Sequence, residues 1–318
     1  AQDSPEYPPD PAAAERPEFV QERPPDLRPV FSAPPEAGRP PAAEPLKPAG
    51  QVQPSESVPS AEPEKTSAAP SRSSGITEQP PKPKPLPELT GTAAIVIDDA
   101  GNNLHELEPF LRFPGPLTIA VLPGLPHSAE AARRIRAAGK EVFLHQPMEA
   151  IGGQNPGPGA IYSGMGEGEV RSVLERNLAE IGPVAGMNNH QGSKVTMDDK
   201  LMEIVLTLCR EKGILFLDSR TTAETAAPRV AERMGIKIGE RDVFVDNIQE
   251  KAAMVRYIHE GLEKAEKKGA AVMIGHVWSS ELAAILEELY PDMIEQGYSL
   301  STISQLVMGK DDDEGPWY

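Results

Sequence analysis

Apolar and polar positions follow two different patterns along residues 91–308. Short runs of β-branched and other apolar residues predict buried strands, and longer stretches with a period near 3.6 predict amphipathic helices. The predicted strands are 93–97, 117–122, 141–144, 184–187, 214–217, 243–245 and 271–274, with an eighth short run near 299–303. The predicted helices are 128–138, 169–181, 198–212, 249–268 and 280–289, the last one ended by Pro291. Strands that alternate with helices in this way form parallel sheets.

This alternation predicts a single α/β domain. Seven or eight strand–helix units in about 220 residues fit a distorted or incomplete (β/α) barrel better than an open, doubly wound sheet. The glycine pattern of a dinucleotide-binding fold does not follow the first strand. Residues 152–168 form a loop rich in glycine and proline, which is long for a compact domain and is expected to shape a binding site.

Residues 1–90 differ from the rest of the chain in composition. They hold 23 of the 35 prolines and almost no large apolar residues. Such a segment cannot bury enough surface to offset the entropy lost on ordering. We therefore predict a disordered or polyproline II tether over 1–90, a folded domain over 91–308 and a short acidic tail over 309–318.

The charge and cysteine content of the chain limit which classes of molecule it can bind and where in the cell it can lie. The formal charge of −17 disfavours nucleic acid and anionic membrane surfaces as partners. Cys209 is the single cysteine, so no disulfide can form within the chain, and no apolar run is long enough to span a membrane. A start at Ala1 suits a protein that has lost its signal peptide or anchor, although a shortened chain would start in the same way. We expect a periplasmic or cell-surface location, with envelope partners reached through the tether.

Polar residues stand where five of the predicted strands end. They are Asp98 and Asp99, His145, His190, Asp218 and His276. The carboxyl ends of parallel barrel strands share one face, and active sites of barrel enzymes lie there. Each residue alone also has a structural explanation, because single histidines are often satisfied by hydrogen bonds and adjacent aspartates often cap helices. The repeated placement favours a functional site.

These side chains suit metal-assisted hydrolysis. Neighbouring Asp98 and Asp99 leave a strand in different directions, so one carboxylate can bind a metal while the other handles a proton. Histidines from other strands complete a mixed nitrogen and oxygen ligand set, which suits zinc and other divalent transition metals. A metal with three protein ligands activates water and polarises a carbonyl group. The pattern therefore favours cleavage of an ester or amide.

The chain resembles the divergent polysaccharide deacetylases, a branch of the NodB-homology carbohydrate esterase superfamily. The resemblance is carried, in order, by IDDAG (97–101), HQPME (145–149), NNHQGS (188–193), LDSRTT (217–222), RDVFVD (241–246) and IGHVWS (274–279). It implies a distorted (β/α)7 barrel and metal-dependent removal of N- or O-acetyl groups from a polysaccharide.

The resemblance also implies roles for individual residues. It makes Asp98 the catalytic base, Asp99 and His145 metal ligands, and His276 the general acid. One position departs from the superfamily pattern, because Glu149 stands where a second ligand histidine is usual. His190 is our preferred replacement ligand, with Glu149 as the alternative, and the metal is expected to be zinc.

A further set of polar and aromatic side chains is predicted to contact substrate. The set comprises Glu149, Asn189, Arg220, Asp246 and Trp278, with Tyr162 of the long loop as an additional aromatic residue. Trp278 and Tyr162 suit stacking on sugar faces but equally suit an ordinary rim or core. Arg220 and Asp246 could instead form a structural ion pair.

Three functions remain open from the sequence. The first is a metal-dependent carbohydrate deacetylase of the cell envelope, with a polysaccharide or oligosaccharide substrate. The second is a catalytically degenerate barrel that binds glycan or an envelope protein, which the Glu149 substitution favours. The third is a different metallohydrolase on a similar barrel. Retention of both Asp98 and His276 favours an enzyme, because binding alone requires neither an acid nor a base.

Overall fold

The computed structural model describes residues 88–309, in which strands and helices alternate. The strands are β1 (Gly91–Ala100), β2 (Thr118–Val121), β3 (Glu141–Met148), β4 (Gly186–Gln191), β5 (Leu215–Asp218), β6 (Gly239–Glu240), β7 (Val243–Phe244), β8 (Ala270–His276) and β9 (Tyr298–Ser301). The helices are α1 (Leu104–Arg112), α2 (Ser128–Ala137), α3 (Glu167–Ile181), α4 (Asp199–Lys212), α5 (Ala227–Met234), α6 (Lys251–Lys268), α7 (Ser280–Glu295) and α8 (Ile303–Met308). Residues 1–87 of the predicted tether and 310–318 of the predicted tail lie outside the described residues.

All strands pair in parallel in one curled sheet. The order is β6-β5-β4-β3-β2-β1-β8-β7, and β9 pairs with the first residues of β1. Strands β6 and β7 lie at opposite edges of this order, yet only Arg241 and Asp242 separate them in the chain. The two edges must therefore lie close together, which bends the sheet into an incomplete barrel. The predicted fold class, a distorted (β/α)7 barrel, is confirmed.

Two apolar layers fill the domain. The larger cluster lies between the sheet and the surrounding helices and includes Ile95, Ile97 and Leu144. The smaller cluster contains strand residues of the opposite parity together with Ile303 of α8, as expected for a barrel interior. Its members are Ala94, Val96, Ala120, Phe143, Leu217, Val272, Ile274 and Ile303. Alternate residues of each strand thus point to the interior.

The predicted elements are incomplete. Helix α8 and the two-residue strand β6 were not predicted. Helices α1 and α5 were not predicted either; both are short, and they contain Pro109 and Pro228. Pro228 stands in the first turn, where a missing N–H costs little. The predicted stop at Pro291 is wrong, because α7 continues to Glu295 and buries Met293 beyond the proline. That burial offsets the hydrogen bond that proline cannot donate.

No helix within residues 88–309 is both long enough and apolar enough to cross a membrane.

Candidate active site

The strands place polar side chains at the upper end of the barrel interior. In β1 and β3, Asp98 follows Val96 and His145 follows Phe143, two residues after an interior apolar position. His276 follows Ile274 of β8 in the same way. Because strand side chains alternate with a period of two, these polar residues point to the same interior face. The site is therefore the continuation of the small apolar cluster.

The alternation of side chains along a strand also explains the position of Asp218. It is adjacent to the interior residue Leu217, so its side chain belongs to the helix-facing side of β5. It is fully buried, and its Oδ1 accepts a hydrogen bond from the backbone N–H of Arg220 at 2.8 Å. Burial raises the pKa of Asp218. The structure does not bring Asp218 into the interior cluster.

Asp99 enters the site through an irregular backbone rather than through strand parity. Its φ is +66°, and the pairing of β1 with β2 shifts register between Ile97 and Ala100. Left-handed φ values are uncommon outside glycine, although Asp tolerates them better than most residues. The turn brings Asp99 Oδ1 to 3.3 Å from His145 Nε2 and 3.0 Å from His190 Nδ1.

The three side chains form a compact group of potential ligand atoms. His190 Nδ1 lies 3.1 Å from His145 Nε2, and Asp99 Oδ1 is buried without a hydrogen-bond partner. Asn188 donates to Asp98, so its amide oxygen faces His145 Nδ1 at 2.8 Å. An amide oxygen only accepts, so His145 carries a proton on Nδ1, and Nε2 is the ring nitrogen that faces the group.

This group fits a divalent metal ion. A buried oxygen of Asp99 and Nε2 of His145 converge with His190, and all three ligand atoms lie within 4.8 Å of one another. One carboxylate and two imidazoles are a ligand set that zinc accepts, with a position left for water or substrate. Burial raises the pKa of Asp99, but the two imidazoles beside it hold that pKa well below its usual range.

Asp98 lies beside the group and is shielded from solvent. Its side chain is 2% exposed, its Oδ1 accepts a hydrogen bond from Asn188 Nδ2 at 2.8 Å, and its Oδ2 lies 3.7 Å from His145 Nε2. Burial raises the pKa of Asp98, and the charges of nearby histidines oppose that shift only in part. A carboxylate with a raised pKa is a stronger base than an exposed one.

His276 is held in one orientation by Asp246. The two oxygens of Asp246 accept from the backbone N–H of His276 at 2.7 Å and face its Nδ1 at 2.9 Å. Burial alone would lower the pKa of His276, but the hydrogen bond and charge of Asp246, with the charges of Asp98 and Asp99, raise it to about 9. His276 therefore carries a proton at neutral pH, as a general acid must.

Two of the predicted substrate contacts have structural partners instead. Asp246 is fully buried beneath His276, so its position supports that ring. Asn189 is 1% exposed; its Oδ1 accepts from Ser219 N–H and its Nδ2 donates to the carbonyl of Gln191. Both side chains hold the loops of the site and present no free polar atom to a substrate.

Glu149 and Arg220 also have ionic partners. Glu149 accepts from the backbone N–H and hydroxyl of Ser163 and pairs with Lys194 at 2.7 Å, which lowers its pKa to about 2. The hydrogen bond from Lys194 is the largest cause of that shift. Glu149 does not belong to the compact ligand group. Arg220 pairs with Glu240, so its ion pair joins the loop after β5 to β6 and does not link two helices.

The predicted aromatic residues remain accessible. Trp278 is 41% exposed and stacks on His276, and Tyr162 in the long loop is 40% exposed. Both positions allow contact with a sugar ring.

Asn188 and Ser219 belong to the site but were not among the site residues predicted from the sequence. Asn188 bridges Asp98 and His145, and it also donates to Ser219 Oγ at 3.3 Å. The signal for Asn188 was present, because a residue two positions before His190 shares its face of the strand. Ser219 follows the interior residue Leu217 by the same spacing.

Comparison with known proteins assigns the family. The sequence profile of the divergent polysaccharide deacetylases matches residues 95–307. An uncharacterized Haemophilus influenzae protein is 30% identical over 192 residues, covering 60% of this chain and 69% of that protein. Uncharacterized protein YibQ of Escherichia coli is 31% identical over 204 residues, or 64% of each chain.

A solved structure shares the fold. The crystal structure of uncharacterized protein ATU2773 from Agrobacterium tumefaciens C58 aligns with a TM-score of 0.64 at 22% identity, covering 68% of this chain and 89% of that one. At this identity the likeness concerns the fold alone. The profile match spans nearly all the described strands and every residue of the ligand group. The chain belongs to the divergent polysaccharide deacetylase family.

Proposed function

We propose that this protein is a metal-dependent hydrolase that removes acetyl groups from a polysaccharide of the cell envelope. The observation that carries the proposal is the convergence of Asp99, His145 and His190 beside a buried carboxylate, Asp98, with the protonated His276 completing the site. Membership of the deacetylase family supports the substrate class.

The roles of the ligand group follow from its chemistry. Asp99, His145 and His190 would hold the metal, and zinc fits their oxygen and nitrogen donors. When bound, such an ion supplies Lewis acidity, which polarises the acetyl carbonyl and makes water a better nucleophile. Asn188 fixes the tautomer of His145 through its amide oxygen.

Two different residues, Asp98 and His276, take the two proton-transfer roles. Asp98, with its raised pKa, accepts the proton of the attacking water. His276, protonated and oriented by Asp246, donates a proton to the departing amine or alcohol of the sugar. Trp278 provides an exposed ring beside the site for contact with the sugar, and Tyr162 provides a second exposed ring in the long loop. Arg220, paired with Glu240, lies in the loop after β5 and would orient substrate only by exchanging that partner.

A location outside the cytoplasm suits this substrate. A polysaccharide of the envelope is met in the periplasm or at the cell surface, and the Pro-rich segment over 1–90 would let the domain reach it or reach envelope partners. Localisation of the full-length protein by cell fractionation tests this part of the proposal. Recovery of the protein with the cytoplasmic fraction would contradict it.

The deciding experiment joins metal analysis to acetate release. The full chain is purified, its metal content measured, and acetate release followed on N- and O-acetylated oligosaccharides before and after chelation. We expect one divalent metal per chain and activity that is lost with the metal and restored by zinc. Stoichiometric metal with no acetate release from any acetylated substrate would refute the deacetylase and favour a degenerate barrel that binds glycan.

A further inference from the structure

Trp278 contacts both sides of the site at once. Its indole Nε1–H donates to Asp99 Oδ2 at 2.9 Å. Its ring stacks on the imidazole of His276, with 4.8 Å between centroids and 17° between planes. The residue lies two positions after His276, in the turn between β8 and α7. One side chain thus touches a predicted ligand and the predicted acid.

The contact with Trp278 sets the rotation of the Asp99 carboxylate relative to the histidines. The plane of a carboxylate can otherwise rotate about the terminal side-chain bond. With Oδ2 bound by Trp278, Oδ1 is left to face His145 and His190. The indole N–H thus holds Oδ2 from one side, while Oδ1 lies 3.3 Å from His145 Nε2 and 3.0 Å from His190 Nδ1 on the other.

The indole is itself well anchored. Stacking on His276 restricts its rotation, and His276 is fixed by two contacts with Asp246. Phe244 covers the imidazole more distantly, with 5.9 Å between centroids. A donor that is already ordered loses little entropy when it binds a carboxylate, and bonds to a charged acceptor are stronger than neutral ones.

We propose that Trp278 is a positioning residue that sets the metal-facing orientation of Asp99. The inference rests on the proposed metal site and assigns to Trp278 a role beyond the sugar stacking expected from the sequence. Asp99 Oδ1 contacts His145 and His190, the other two proposed ligands, so the indole N–H restrains Asp99 from outside the ligand group. Without the indole N–H, the carboxylate could rotate away from the ligand geometry.

The test compares two aromatic variants of the full chain. Trp278→Phe keeps a ring against His276 but removes the N–H donor, whereas Phe244→Leu alters the other aromatic contact of His276 and leaves the hydrogen bond to Asp99 intact. Zinc affinity is measured by competition with a chromophoric chelator. Trp278→Phe should weaken zinc binding by about 10–100-fold, the usual loss for an outer partner of a metal ligand. Phe244→Leu should leave zinc affinity unchanged.

A second measurement requires no metal. The indole N–H signals of the chelated protein are recorded by ¹H–¹⁵N NMR, and Trp278→Phe identifies which of the two tryptophans gives which signal. In Asp99→Ala the Trp278 signal should shift and exchange faster with water. A signal that does not respond to Asp99→Ala would show that the contact is absent, and would overturn the proposal.

The outcomes separate this inference from the proposed function. If the wild type binds zinc and Trp278→Phe binds it equally well, the positioning role is wrong while the metal site stands. If the wild type binds no divalent metal, both the metal-dependent function and the positioning role fail.

Discussion

The two sides of the site differ in how completely their polar atoms are satisfied. On one side, Asp99 Oδ1 faces two imidazole nitrogens with no hydrogen-bond partner. On the other side, His276 Nδ1 and its backbone N–H are both matched to the fully buried Asp246. Buried polar groups are normally paired, so an unpaired one requires an explanation.

The difference indicates different chemical roles. The Asp99 side gathers lone pairs that repel one another unless a proton or a cation lies between them. In the Asp246–His276 pair the charge of the carboxylate is balanced by that of the protonated imidazole, and the pKa of His276 is about 9. The first side therefore suits the proposed metal ion, and the second suits the proposed role of His276 as a proton donor. Asp98 and Asn188 lie where the two sides meet.

The largest effect is expected from Asp98→Asn. An amide cannot accept the proton of water, so acetate release should fall by about 10²–10⁴-fold, the range that general base catalysis contributes. Metal content should be retained, because Asp98 is not in the ligand group. Acetate release at the wild-type rate would exclude Asp98 as the base.

A pair of variants tests the ligand side of the site. His190→Ala removes a proposed ligand and should weaken zinc binding by more than about 100-fold, since even outer partners cost about 10–100-fold. Glu149→Gln should leave zinc affinity unchanged, because its carboxylate is engaged by Ser163 and Lys194. Titration with a competing chelator gives both affinities. The reverse result would assign the ligand position to Glu149.

Variants of two neighbouring asparagines distinguish residues that orient the metal ligands from residues that support the loops. Asn188→Ala removes the partner of His145 Nδ1 and should weaken zinc binding by about 10–100-fold. Asn189→Ala leaves the Ser219 N–H unpaired and should lower the free energy of unfolding by about 1–3 kcal/mol with little change in zinc affinity. Chelator competition and urea denaturation measure the two effects. Equal zinc affinities in both variants would contradict the division.

The smallest effect is a displacement of the pH profile. In the wild type, kcat/KM for acetate release should fall at high pH as His276 loses its proton near pH 9. At low pH it should fall as Asp98 gains a proton, at a pH above the usual carboxyl pKa because burial raises that of Asp98. Asp246→Asn removes the charge that favours protonated His276, so the alkaline limb should move down by about 1–2 units. If the alkaline limb of the profile does not move in Asp246→Asn, His276 is not the general acid.

Much of the fold could be predicted because apolar periodicity is a local property. The strands of the sheet other than β6, and the helices α2, α3, α4 and α6, follow directly from such patterns. The short helices α1 and α5 were not predicted, since each contains a proline, a residue that usually marks the end of a helix. The end of α7 depended on burial of Met293, which the sequence around Pro291 does not reveal.

The sequence by itself determined which residues end the strands, and the resemblance of its motifs indicated the family. Strand parity already places Asp98, His145 and His276 on one face, because side chains alternate strictly along a strand. Only the tertiary structure decided that Asp99 turns into the same site through a left-handed backbone, and that Glu149 is paired with Lys194. Both depend on contacts between segments distant in the chain, which periodicity does not encode.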